Sequence, residues 1–360
     1  MNDMEQMPEK DVRQAPSTGN STRFKMLTGA FVLCCFVGMT IILSGLFVTR
    51  SQWSNRQDGY LYIDSDDTMD SVKVKSGLGW RLYFGSKLLK SIHTGRYDTR
   101  NQSAFSLFRK LRIHSQDPVN LTIPSVRTLD RMASYLSQHL MMDKEELLSF
   151  MSDSSKCAQI GFSPATLPSL FIPNTYYIYW DISVDRFIER MQVEYLKFWN
   201  DERLQKAEAC HLTPIEVCTL ASIVDEETAN AAEKPDVAGM YLNRLHVGMP
   251  LQADPTVKFA IGDFTLRRIY HEHLRVESPY NTYIHAGLPP GPIRIASIEG
   301  IDAVLNHSKH DYLYMCAKED FSGTHRFATT YQEHLRNARR YADALNQRGI
   351  NGQEGSLLTT

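Results

Sequence analysis

The stretch Thr213-Pro-Ile-Glu-Val-Cys-Thr-Leu-Ala-Ser-Ile-Val-Asp-Glu-Glu227 marks a helix start more firmly than any other in the chain. Thr213 is placed to cap, Pro214 suits the first helical position, and Glu216 follows three residues later to close a capping box. Val217, Leu220, Ala221, Ile223 and Val224 recur at helical spacing. At about 100° per residue they cover one arc, and Glu227 falls inside it. Glu226 points nearly away from that arc, and Asp225 lies beyond its far edge. A carboxylate on a core-facing stripe loses solvation, which raises its pKa and suits it to general acid work. The plain alternative is that Asp225, Glu226 and Glu227 form a solvated helix end.

Downstream, Val237, Met240, Tyr241 and Leu245 form the packing face of a helix that restarts at Pro235, with Asn243 and Arg244 at its C-terminal end. Gly248-Met-Pro-Leu-Gln-Ala-Asp-Pro-Thr256 holds two prolines and no helical period, so Gln252 and Asp254 read as displayed for binding. Ser278-Pro-Tyr-Asn-Thr-Tyr283 and Gly287-Leu-Pro-Pro-Gly-Pro-Ile293 are similar loops. Aromatic rings cover apolar sugar faces while amides and carboxylates take hydroxyls, so such loops suit a glycan. A purely structural Pro-Tyr loop is the alternative.

The ordered motifs A-S-I-V-D-E-E-T-A, Y-L-N-R-L, G-M-P-L-Q-A-D-P-T-V, S-P-Y-N-T-Y and G-L-P-P-G-P-I resemble the MltG (YceG-like) endolytic murein transglycosylases. The resemblance is strong from about Leu212 to Tyr341 and runs in register back to about Tyr60. It implies cleavage of the bond between N-acetylmuramic acid and N-acetylglucosamine in nascent strands, leaving 1,6-anhydro ends. The acid just before Thr-Ala, Glu227, then carries the general acid and base roles. The resemblance places Asn174, Thr175, Tyr176, Asn243, Arg244, Gln252, Asp254, Thr256, Tyr280, Asn281, Thr282, Tyr283 and His325 at the substrate. Asn174 stands where the family usually has Asp, so a charged role does not carry over. Asp225-Glu226-Glu227 replaces a common Glu-Lys-Glu, and the lost Lys is expected to raise the pKa of Glu227. Ala253 and Ala296-Ser297 also depart from the family, at positions expected to carry no chemistry. Two rivals remain: a hydrolase pairing Glu227 with Asp254 or Asp225, and a non-catalytic wall-binding scaffold.

The expected fold class is α+β. Met26 to Val48 is a run of 23 residues without charge, long enough to span a bilayer. Lys10, Arg13, Arg23 and Lys25 precede it, against Arg50 and Arg56 after it, so the N-terminus is expected in the cytoplasm of a single-pass inner-membrane protein. Leu61 to Asp70 and Leu121 to Asp130 match at a sixty-residue offset, each an alternating strand running into a capping Thr68 or Thr128. The expected segments are a tail (1–25), transmembrane helix (26–48), LysM-like strand-helix subdomain (58–135), helical connection (136–205), α+β catalytic domain (206–348) and flexible tail (349–360). The LysM-like assignment comes from the resemblance, as does partnership with penicillin-binding synthases.

A formal net charge of -2 advertises no nucleic-acid surface. Six cysteines form no C-x-x-C pair, and His271-Glu-His273 and His307-x-x-His310 lack the H-E-x-x-H form, so no metal or cofactor is expected.

Overall fold

The computed structural model describes residues 19–48, 59–76, 93–100, 102, 104–266 and 268–348. Contacts divide the chain into two units, Met1–Gln116 and Asp117–Thr360.

In the first unit, helix α1 (Gly19–Val48) begins inside the expected tail. No proline follows Pro16 before the apolar run, so a helix nucleated there propagates back through Asn20 and Ser21. The rest of that tail lies outside the described residues, as do Arg50, Arg56 and the tail 349–360. Among the described residues no helix is long and apolar enough to cross a membrane. Side chains near both ends of the Met26–Val48 run are outside the described set. Strands β1 (Tyr60–Ile63) and β2 (Gly95–Asp98) pair antiparallel, with Leu61 opposite Tyr97. Helices α2 (Met69–Ser76) and α3 (Ala104–Arg112) close over them. Leu61, Ile63, Val72, Tyr97, Leu107 and Leu111 make the small core. The Thr68 hydroxyl accepts from the Ser71 amide, as its place before α2 predicts.

In the second unit, β3 (Val119–Thr122) pairs antiparallel with β4 (Thr175–Ile178). Between them run α4 (Leu129–His139), α5 (Lys144–Ser152) and the short α6 (Ser154–Gln159). Thr128 caps α4 by accepting from the Arg131 amide. Both matching segments thus form a strand followed by a helix, but they pair with different partners. The second belongs to the large unit, because Leu121, Ile123, Met132 and Leu136 share a core with Phe171, Phe187 and Ile295. The division therefore falls at 116/117, away from the expected 135/136 and 205/206 boundaries.

Helices α7 (Val184–Phe198) and α8 (Asp201–Ala209) lead into α9 (Pro214–Glu227). Then follow α10 (Lys234–His246), α11 (Asp254–Ile261), α12 (Ile298–Leu305), the hairpin β5 (Tyr314–Ala317) and β6 (His325–Ala328), and α13 (Tyr331–Gln347). Mixed helices with small antiparallel sheets make this an α+β fold. The capping box on α9 is formed as read: Glu216 Oε2 accepts from the Thr213 amide at 2.8 Å. Its surroundings differ from the expected single buried arc. Every residue from Val217 to Val224 is buried, so α9 is the central post of the unit, enclosed by α8, α10, α11 and α12. Small polar residues make this possible. The Thr219 and Ser222 hydroxyls donate to carbonyls of α9 itself, leaving no orphan polar group facing the packed neighbours.

Candidate active site

Three consecutive acids end α9, and each meets a different environment. Asp225 is not solvated: its side chain is 3% exposed and binds Lys234 Nζ at 2.8 Å. It also accepts from the Ser297 amide and hydroxyl at 2.7 and 2.8 Å, next to the start of α12. Gly300 allows this approach, since a Cβ there would lie 2.5 Å from Asp225 Oδ1. Ser297, a departure expected to be inert, therefore anchors an acid. Glu226 is held by Arg127 through Nε and Nη2, both 2.8 Å, and by Arg294 Nη1 at 2.9 Å.

Among the described residues Glu227 has no cationic partner in contact. Its Oε1 accepts from the Tyr241 hydroxyl at 2.7 Å. Oε2 has no hydrogen-bond partner among the described residues, yet it is not sealed from solvent. The residue keeps a solvent-facing edge while protein atoms crowd its carboxyl, and burial pushes its pKa up to about 7. The Tyr241 hydrogen bond opposes that rise, and the Asp254 charge adds to it. The expected contribution from a missing Lys beside it is corrected by the geometry. Glu226 is neutralised by two arginines, and burial supplies the shift.

Asp254 and Tyr283 form a second acid–phenol pair, 2.7 Å from hydroxyl to Oδ1. Burial raises the Asp254 pKa. The Gly248–Thr256 stretch was expected to be loop throughout. Instead Asp254 opens helix α11, with Pro255 accepted in its first turn. Gln252 is a loop residue with φ +49°, a left-handed conformation that a non-glycine residue adopts at a cost. Its amide side chain makes no hydrogen bond among the described residues, which leaves it available to a ligand.

The other expected substrate residues divide sharply. Thr256 and Thr282 are buried and share a 2.8 Å hydroxyl contact. Asn281 is buried and donates to the Leu274 and Val276 carbonyls. Asn243 donates to the His310 and Tyr312 carbonyls. Arg244 is 1% exposed and donates to the Leu313 and Leu251 carbonyls, with Nη2 unpaired. Apart from Arg244 Nη2, these side chains are bonded to one another or to the main chain. The Tyr280 ring packs against Phe259, centroids 4.7 Å apart and planes tilted by 47°. Asn174 and Thr175 are exposed at the start of β4, while the Tyr176 hydroxyl is turned inward onto the Ile172 carbonyl. His325 sits beside Glu233, with Nδ1 3.0 Å from Oε2.

The YceG-like family model matches residues 67–340, well over half the chain. The chain belongs to the YceG-like family. It is 34% identical over 171 residues to a Bacillus subtilis protein named endolytic murein transglycosylase, covering 47% of this chain and 46% of that one. It is 28% identical over 302 residues to a Streptococcus pneumoniae protein of the same name, covering 75% of this chain and 54% of that one. The chain thus spans about half the length of the curated relatives it matches. A solved yceG-like protein of Listeria monocytogenes shares the fold, with a TM-score of 0.54 at 24% identity over 77% of this chain and 97% of that one.

Several residues of this YceG-like site escaped the sequence reading. Tyr241 read as packing, yet its hydroxyl is the one hydrogen-bond partner of the Glu227 side chain among the described residues. Arg127 lies 99 residues before Glu226, and only the strand-helix match pointed to its neighbourhood. One histidine of each pair meets the backbone: His310 Nε2 lies 3.0 Å from the Asp236 carbonyl, and His273 Nδ1 accepts from the Tyr270 amide. Among the described residues no group of three His, Cys, Asp or Glu side chains is arranged to hold a metal.

Proposed function

We propose that this chain is an endolytic peptidoglycan lytic transglycosylase with Glu227 as its one acid–base group. The observation that carries this reading is a crowded carboxyl with a raised pKa, one oxygen bound by Tyr241 and the other free. With Oε1 accepting the phenol hydrogen bond, the acid proton is left on Oε2. There it protonates the glycosidic oxygen, and the bond from that oxygen to C1 of the muramoyl unit breaks. The carboxylate then takes the proton from the C6 hydroxyl as O6 bonds to C1. Proton and atoms balance without water, so no second base is required. Asp254 already accepts a hydrogen bond from Tyr283 at 2.7 Å, and this mechanism asks no step of it.

The family relatives named endolytic murein transglycosylases support the substrate class. In this reading the Met26–Val48 run anchors the chain in the inner membrane with an extracytoplasmic catalytic region. Residues 58–135 are a LysM-like aid to holding the strand, and synthases of the penicillin-binding class are the partners.

Mass spectrometry of strand ends after incubating the full chain with uncrosslinked peptidoglycan tests the chemistry. The expected products end in 1,6-anhydro-muramic acid and carry no added water. Reducing ends would replace this reading with a hydrolase, and intact strands with a scaffold.

Tyr241→Phe removes the hydrogen bond that holds the Glu227 pKa down. The high-pH limb of kcat/KM is then expected to move upward by about half a unit to one unit, because the acid keeps its proton longer. An unmoved limb would show that Tyr241 does not act on Glu227.

A further inference from the structure

A cavity of about 110 Å³ opens beside the acid cluster, lined by Arg127, Glu226, Pro255, Lys258, Phe264 and Ile293. At about 30 Å³ per water-sized group it holds three or four such groups, the size of a carboxylate with its adjoining carbon. Its charge is unbalanced. Glu226 is the single acid in the lining, and it is matched by Arg127 and Arg294 together. Arg294 spends Nη1 on Glu226 and its Nε and Nη2 on the Ser125 hydroxyl and carbonyl. Arg127 spends Nε and Nη2 on Glu226, while Nη1 makes no hydrogen bond among the described residues. Its guanidinium lies over the Phe264 ring at 5.4 Å, which fixes the fork at the cavity wall. Lys258, on α11, makes no ion pair or hydrogen bond among the described residues.

The cavity also adjoins the chemistry. Pro255 and Lys258 belong to the helix that Asp254 opens, and the Lys258 charge acts on both Asp254 and Glu227. A muramoyl unit carries its peptide on the lactyl group at C3, two carbons from the C1 that this reading puts at Glu227. We propose that the cavity is a subsite for a carboxylate of that peptide, held by Arg127 Nη1 and Lys258 Nζ. The inference rests on the peptidoglycan reading of the site. A singly charged group fits the surplus, whereas a doubly charged one would bring extra negative charge up against Glu226 and Asp254.

The test uses the full chain carrying Glu227→Gln, which leaves strands uncut and removes any effect of Lys258 on Glu227 titration. Binding is measured to soluble uncrosslinked strands with their peptides and to the same strands with their peptide carboxylates converted to amides. The carboxylate-bearing strands are expected to bind about tenfold tighter, as for one charge-assisted contact. Adding Lys258→Gln is expected to abolish that preference and Lys258→Arg to preserve it. Equal affinity for the two strands, or a Lys258→Gln effect alike on both, overturns the subsite. Cleavage by the wild-type chain is read separately, so failure of the lytic chemistry leaves this binding result standing on its own.

Discussion

Glu227→Gln is expected to lower strand cleavage by about a thousandfold or more, the usual scale for losing a general acid, while the fold persists. The amide keeps the shape and still accepts from Tyr241 through its oxygen, so substrate affinity is retained. It has no proton to give to the leaving oxygen and cannot take one from the C6 hydroxyl. A variant that folds and cuts at the wild-type rate would remove Glu227 from the mechanism.

The same substitution has a stability signature of opposite sign. The folded carboxyl titrates near 7 against an ordinary 4.5. Between those values the native state holds a proton that the unfolded chain has released, so wild-type stability falls as pH rises through that window. Glutamine has nothing to lose there. The variant is therefore expected to gain about 2–3 kcal/mol over wild type at pH 8 and nothing at pH 4. Denaturant midpoints at the two pH values check it, and a pH-independent difference would show that the carboxyl is not destabilised by burial.

Asp225→Ala is expected to cost about 3–5 kcal/mol, the scale for breaking one side of a buried ion pair. Lys234 is 7% exposed and would keep only Glu299, a carboxylate that is 55% exposed. The Ser297 amide and hydroxyl would lose their acceptor as well. Denaturation with matched slopes measures the loss, and cleavage per folded molecule should fall far less than with Glu227→Gln. A change under about 1 kcal/mol would mean that water replaces the carboxylate freely at the foot of α12.

What the sequence revealed followed the range of the interactions involved. The α9 cap was legible because Thr213, Pro214 and Glu216 interact within one turn. The strands entering Thr68 and Thr128 were legible for the same reason. Glu227 was singled out by an arc that the structure does not keep, since α9 is buried on all sides. What distinguishes its carboxyl from Asp225 and Glu226 is the partner each finds, and those partners lie at Lys234, Arg127, Arg294, Ser297 and Tyr241. Spacing along the chain carries no record of such meetings. The resemblance put Arg244 and Asn243 at the substrate, yet tertiary packing turned both onto main-chain carbonyls.

The link between β3 and α4 bears on how such a chain can be divided. Ser125 donates to the Ile295 carbonyl, Val126 accepts from the Ile295 amide, and Arg127 clamps Glu226. A piece cut at residue 205 would carry Glu227 and the loops that follow it, yet lose Arg127, half of the clamp on Glu226. Recombination that swapped the C-terminal part between relatives would have to carry this short link along, so the smallest heritable unit of the site begins near residue 117.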